Sequence, residues 1–269
     1  MRNIIQYFYN IDINNIKEYD SYYIIDDYIL KEVKYNIDME LYNYLITNNI
    51  YVDKIIPNIK DEYITIINNK KYILSLYNKE KVYIDDIYNY DHIIFDKNNI
   101  DWSKLWENKV DYYEQNIINI NNKDILSIYP YYIGLSEIAI RVYKEIGDNK
   151  TKSISHNRLN NDLEFYNITN LKVDYKVRDI AEYIKKEFFN DNKMDITFIF
   201  NLNLTNDDYL TLYSRLLFPT YFFDCVEVGD NISKYISKIN LYEDYLNYIY
   251  YELSKVVKLP YIDWLIKKV

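Results

Sequence analysis

The sequence predicts an α+β protein of two lobes, a small antiparallel sheet with one helix followed by a larger, mostly helical part. Three observations predict it. Short β-branched and aromatic runs separated by turn residues crowd the first eighty positions. Helical spacing of apolar residues dominates everything after about residue 100. Nearly half of the 269 residues are apolar, enough to bury a sizeable core.

The first lobe is expected over residues 1–80. Ser21 to Ile25 and Tyr28 to Val33 are strand-like runs around Asp26-Asp27, a hairpin signal. Asp38 can cap a helix from Met39 to about Thr47, with Leu41, Tyr44 and Leu45 on one face. Tyr63 to Ile67 and Lys71 to Tyr77 form a second strand pair across Asn68-Asn69-Lys70.

The second lobe is expected over 81–269. Trp102 to Asn116 carries Leu105, Trp106, Val110 and Tyr113 at helical spacing, and Ile133–Glu145, Val177–Phe189, Asp207–Leu217 and Leu241–Val257 repeat the pattern. Pro130 and Gly134 set the approach to the second of these helices. Helix signals fade between Ile154 and Val173, where short apolar strands fit. A β-rich part followed by a helical part is the α+β arrangement.

Composition removes several function classes. Gly134, Gly147 and Gly229 are the only glycines, so no Gly-rich phosphate-binding loop is present. A net charge of -9 repels nucleic acid and anionic membrane surfaces, so neither is expected as a partner. Cys225 is the only cysteine and His92 and His156 the only histidines, which argues against an internal disulfide and a Cys- or His-rich metal cluster. No segment reads as a signal peptide or an uncharged membrane span, and the cytoplasm is the expected compartment. The abundance of Tyr (35 residues), Asn, Ile and Lys reads as the bias of an AT-rich bacterial genome, so a single Tyr carries little functional signal.

Several segments are more specific. Asp101-Trp-Ser-Lys-Leu-Trp-Glu107, Tyr129-Pro-Tyr-Tyr-Ile-Gly-Leu-Ser-Glu-Ile-Ala-Ile140, Val173-Asp-Tyr-Lys-Val-Arg-Asp-Ile-Ala-Glu-Tyr183, Arg215-Leu-Leu-Phe-Pro-Thr-Tyr-Phe-Phe-Asp224 and Leu259-Pro-Tyr-Ile-Asp-Trp-Leu265 follow one another in order. Together they resemble the bacterial spore-coat kinase-like proteins of the CotS and YutH type, within the protein-kinase-like, aminoglycoside-phosphotransferase superfamily. The resemblance implies a two-lobed kinase-like fold. It implies ATP with Mg²⁺ as cofactors, and a spore-coat setting if the source organism sporulates.

Phosphoryl transfer needs a cation on the phosphates, oxygen ligands for Mg²⁺ and a carboxylate for the hydroxyl proton. By the resemblance Lys31 takes the phosphate-pairing place, Glu40 is its carboxylate partner, and Asp174 is the metal ligand; these three make the candidate nucleotide cleft. Each also reads as an ordinary solvated or structural charge.

The catalytic loop departs from the family. Relatives carry His-Gly-Asp-Leu with a metal-binding Asn five residues after the Asp. The matching stretch is Ser155-His156-Asn157-Arg158-Leu159, with Arg158 in the Asp place and Leu163 in the Asn place. A guanidinium cannot act as a base, and an aliphatic side chain has no oxygen for a hard cation. Asp162, adjacent, is an alternative ligand. A pairing of Arg158 with Asp174 across the vacated metal site is expected instead. Asp179, only five residues after Asp174, reads as a helix-start residue tied to Arg178. His156 reads as a loop-steadying histidine, and Trp102, Trp106 and Trp264 as packing residues.

No catalytic residue is assigned with His156, Asn157 and Arg158 in this degenerate loop. The expected function is a pseudokinase that binds a protein partner, as in a coat-like assembly, or a small-molecule ligand. The alternative is an active small-molecule phosphotransferase with a non-standard loop.

Overall fold

Why the first hairpin forms where it does is visible at its turn. Asp26 adopts a left-handed φ of 49°, which Asp tolerates, and its carboxylate accepts the backbone N–H groups of Asn14 and Asn15, each at 2.9 Å. Those two bonds hold its pKa below the usual carboxylate range. The computed structural model describes residues 2–19, 22–33, 37–77, 83–95, 100–146, 151–159, 164–191, 193, 195–228 and 232–265.

The chain divides into two compact units. The first is Met1–Tyr83 together with His156–Lys172. It holds α1 (Arg2–Tyr9), β1 (Ile16–Glu18), β2 (Tyr22–Ile25), β3 (Tyr28–Glu32), α2 (Met39–Thr47), β4 (Ile55–Ile56), β5 (Thr65–Ile67) and β6 (Lys70–Leu76). The six strands make one antiparallel sheet ordered β1-β2-β3-β6-β4, with β5 also on β6. Asn68 and Asn69, at φ 49° and 65°, form the two-residue turn between β5 and β6, where Asn pays little for left-handed backbone.

One helix was expected here and two are found among the described residues. In α2, Asp38 caps by accepting the Leu41 N–H at 3.1 Å, as its sequence position implied. The second is α1, whose Ile5 and Tyr9, four residues apart, are buried while Asn3 and Tyr7 are exposed. Ile5 and Tyr9 join Ile13, Ile25, Leu30, Ile67, Tyr72 and Leu74 in one core, and the Tyr9 hydroxyl is matched by Thr65 Oγ1 at 2.8 Å.

The second unit is Ile84–Ser155 with Val173–Val269. Its elements are α3 (Ile84–Asp91), α4 (Trp102–Asn116), α5 (Lys123–Glu145), α6 (Arg178–Asp191), α7 (Asn206–Leu217), α8 (Thr220–Val228) and α9 (Ile232–Leu253). The strands β7 (Lys152–His156) and β8 (Leu171–Tyr175) pair with each other, and the chain passes from one unit to the other within each of them.

α5 corrects an expectation. Pro130 lies inside it rather than ahead of it. Proline cannot donate to the Leu126 carbonyl four residues back, but both residues stand on the exposed face, where water can take that carbonyl. Gly134 is inside α5 too, and a Cβ there would meet only the Trp264 indole at an ordinary 3.6 Å.

Aromatic stacking fills the core of this unit. Tyr132 lies on Phe222 at 4.3 Å, Phe188 on Tyr245 at 4.2 Å and Trp106 on Phe218 at 4.5 Å between ring centroids. Among the described residues no helix is long and apolar enough to cross a membrane.

Candidate functional site

The residues expected to carry chemistry fall into two clusters, one in each unit. Lys31 lies on β3 in the first unit, with its side chain largely buried. Its ammonium pairs with Glu164 Oε2 at 2.9 Å, so the carboxylate beside it comes from the stretch after β7. Glu40, the expected partner, stands exposed on the first turn of α2. Glu164 carries no sign in its local sequence, because only the fold brings it to β3.

The stretch around Glu164 is held by neutral groups. His156 is fully buried, its Nε2 bonds the Phe165 carbonyl at 2.9 Å, and its ring lies 4.1 Å from that of Phe165. Asn170 clasps Arg158 from both sides: its Oδ1 accepts the Arg158 N–H at 3.1 Å and its Nδ2 donates to the Arg158 carbonyl at 2.9 Å. Nδ2 also reaches the Glu164 carbonyl at 3.2 Å. The Asn157 N–H bonds the Asn170 carbonyl at 2.7 Å. Asn167 Nδ2 donates to Ser75 Oγ on β6 at 3.1 Å, and the Asp53 N–H to the Tyr166 carbonyl at 2.8 Å. Residues 156–172, expected in the helical lobe, are thereby stitched into the first unit. The Arg158 side chain is exposed. Asp162 and Leu163 lie outside the described residues.

Asp174 is the next-to-last residue of β8 and belongs to the second unit, and its side chain is wholly buried. Its Oδ1 accepts the Trp102 indole N–H at 2.6 Å and the Tyr175 N–H at 2.7 Å, with Arg215 Nη2 at 3.4 Å. Arg178 Nε is 3.1 Å from Oδ2, a charge contact that is off hydrogen-bond alignment. Arg215, 3% exposed, lies with its guanidinium carbon 4.5 Å from the Trp102 ring centre. Arg178 also holds Asp179 Oδ1 at 3.0 Å. Beyond them, Lys185 donates to the Phe218 carbonyl at 2.9 Å, and burial pulls its pKa down to about 8 although Glu182 opposes.

The cations that meet Asp174 within its own unit are thus Arg178 and Arg215, where the sequence reading had offered Arg158. Trp102, read as a packing residue, is a hydrogen-bond donor to the same carboxylate. Arg215 opens the Arg215–Asp224 segment, whose local sequence gives no sign of a site role.

Whether this arrangement fits Mg²⁺ can be tested on its donors. A hard cation wants several free oxygens. The Asp174 carboxylate already faces two guanidiniums and two N–H donors. No group of three or more His, Cys, Asp and Glu side chains stands ready for a metal among the described residues. These residues do not fit the metal.

Known proteins agree with the fold. An aminoglycoside phosphotransferase from Alicyclobacillus acidocaldarius superposes with a TM-score of 0.67 over 92% of this chain and 95% of its own, at 7% identity. A spectinomycin phosphotransferase crystallised with ADP and spectinomycin gives 0.55 over 95% of this chain and 96% of its own, at 11% identity. At such identities the likeness speaks for the kinase-like fold alone. In sequence, the endospore coat-associated protein YutH of Bacillus subtilis (strain 168) is 27% identical over 175 residues, 55% of this chain and 51% of that protein, so the chain spans about half the length of that relative. The family described as Spore coat putative kinase YutH matches residues 88–255, more than half of the chain. With Trp102, Asp174, Arg178 and Arg215 all inside that stretch, the chain belongs to the YutH spore-coat kinase-like family.

Proposed function

We propose that this chain is a catalytically degenerate kinase-fold protein that acts by binding rather than by phosphoryl transfer, in a spore-coat setting. The observation that carries the reading is Asp174, buried between Arg178 and Arg215 and capped by the Trp102 indole. A carboxylate held this way neutralises protein cations and has no charge left for a metal. Arg158 in the place of the catalytic base supports the same reading.

A protein partner is the expected ligand. The name of the Bacillus subtilis relative supports a coat association. An apolar groove of about 660 Å³ in the first unit also supports it, lined by Phe8, Met39, Tyr63, Ile64 and Ile66 with Asn58, Lys60 and Glu62. Around it Ile59, Tyr63 and Ile66 are exposed.

The test is calorimetry of the full chain with Mg-ATP, run beside a turnover assay against small alcohols, amines and aminoglycosides. Neither binding heat nor ADP release is expected. Mg-ATP binding together with turnover that Asp174→Asn abolishes would establish the alternative, an active phosphotransferase with a non-standard loop.

A further inference from the structure

One side of β5 is an open edge. Lys71 on β6 stands opposite Ile66, yet its carbonyl accepts the Val33 N–H at 2.8 Å on the β3 side. Ile66 and Lys71 are therefore a non-hydrogen-bonded pair, and the Ile66 N–H and C=O point away from β6. No strand pairs with that side of β5 among the described residues. Ile64, two residues back, also makes no backbone hydrogen bond among them.

The two edges of the sheet differ. β1, at the far edge, is three residues long and exposes Lys17 and Glu18, charges that discourage a further strand. β5 is as short but carries no charge, and Ile66 leaves 62% of its surface exposed. Ile66 also lines the apolar groove, together with Ile64, Tyr63, Phe8 and Met39. Unpaired backbone and apolar side-chain space therefore lie side by side.

The groove is also preorganised. Asn58, 6% exposed, accepts the Lys60 and Glu62 N–H groups on its Oδ1 at 2.9 and 3.1 Å and donates to Thr65 Oγ1 at 3.1 Å. Thr65 meets the Tyr9 hydroxyl, and the Ile59 N–H bonds the Phe8 carbonyl at 2.7 Å. These bonds tie the segment leading into β5 to the end of α1, so little ordering is left for a ligand to impose. Lys60 and Glu62 stand exposed at the groove, neither in an ion pair among the described residues.

These features select one kind of occupant. An outward N–H and C=O call for extended backbone, the groove for a large apolar side chain, and Lys60 and Glu62 for charged neighbours of both signs. We propose that the Ile66 edge takes an extended segment of a protein partner as an added strand, which seats an aliphatic or aromatic side chain in the groove and sets an acidic and a basic side chain against Lys60 and Glu62. The strand site rests on the binding function above and gives it a place and a chemistry.

The probe is a displayed library of short peptides selected on the full chain, with the enriched sequences then made as labelled synthetic peptides. Sequences alternating apolar and charged residues are expected. Their binding, read by fluorescence anisotropy, should slow hydrogen exchange of the Ile66 amide. Ile66→Pro removes an N–H that the ladder to β6 does not use, and should weaken binding by about tenfold or more. Lys60→Glu should weaken it less, by an amount that shrinks as salt is added. If Ile66→Pro does not fold, the peptide carries the test: N-methylating one alternate set of its amides should abolish binding, and methylating the other set should spare it. A selection without alternating sequences overturns the strand site, as does binding that leaves Ile66 exchange unchanged or survives both methylations. Protection of the Ile66 amide by protein concentration alone, with dimers in sedimentation, overturns it too, because the edge then belongs to a second copy. Mg-ATP turnover would instead overturn the binding function while peptide capture at this edge persisted, so the two fail separately.

Discussion

Residues 156–172 and residues 174–179 are almost neighbours in the chain, yet the first leans on neutral hydrogen bonds and the second on buried charge. The first stretch is closed mostly by amide side chains and a histidine on backbone groups, with one ion pair, Glu164 on Lys31. The second is closed by buried charges: Asp174 between two arginines, Arg178 on Asp179, and Lys176 on Asp208. Neutral bonds lose their own energy when one is removed. A buried ion network leaves a stranded charge behind, so its members are individually far more costly to delete than to exchange together.

The sharpest way to break the comparison is Asp174→Ala, which strands Arg178 and Arg215 in the interior. A loss of about 3–5 kcal/mol is expected, read from chemical denaturation. Asn170→Ala, whose bonds are all to neutral groups, should cost about 2–3 kcal/mol by the same measurement, since several ordinary hydrogen bonds go at once.

The pH dependence of the first unit comes next. Asp53 is buried, neither carboxylate oxygen has a partner among the described residues, and burial raises its pKa to about 7. Its unfolded value is about 4, so the folded state holds a proton that the unfolded chain releases between those two values. Stability is therefore fully present on the acid side of that window and lost as pH rises through about 7. Asp53→Asn should leave stability below about pH 4 nearly unchanged and raise it at pH 8 by up to about 4 kcal/mol. Equal denaturation midpoints for the variant and wild type at pH 8 would refute this.

Smaller effects mark the edges of the comparison. The buried Tyr213 hydroxyl has no hydrogen-bond partner among the described residues, so Tyr213→Phe should stabilise by up to about 1 kcal/mol in thermal melts. The exposed Lys70–Glu32 pair, although 2.9 Å long, is solvated, and Lys70→Ala should change stability by less than about 0.5 kcal/mol.

Much of the fold could be read from local signals. The two hairpins, the Asp38-capped α2 and α4 from Trp102 to Asn116 all follow from turn residues, caps and periodicity. Elements that escaped lack such signals. In α8 the Tyr-Phe-Phe run is apolar all round and shows no period, and α3 opens on Asp85 and Asp86 and buries only Ile87, Tyr90 and Asp91. The first half of α5 was hidden by Pro130, whose lost bond is cheap only on the wet face it turned out to occupy. The candidate site was legible in part. Asp174 and Arg178 share a local motif, whereas Glu164 beside Lys31 and Trp102 with Arg215 around Asp174 depend on contacts distant in sequence.

The excursion of residues 156–172 into the first unit sets a constraint on how the chain is born. A ribosome emits Met1–Tyr83 first, but the partners of Lys31, Ser75 and the Asp53 amide arrive only with Glu164, Asn167 and Tyr166. The nascent sheet must wait, its lysine unpaired, while Ile84–Ser155 is synthesised. Nor is there a cut near residue 83 that would free a finished piece, so neither unit is a module that recombination could move alone.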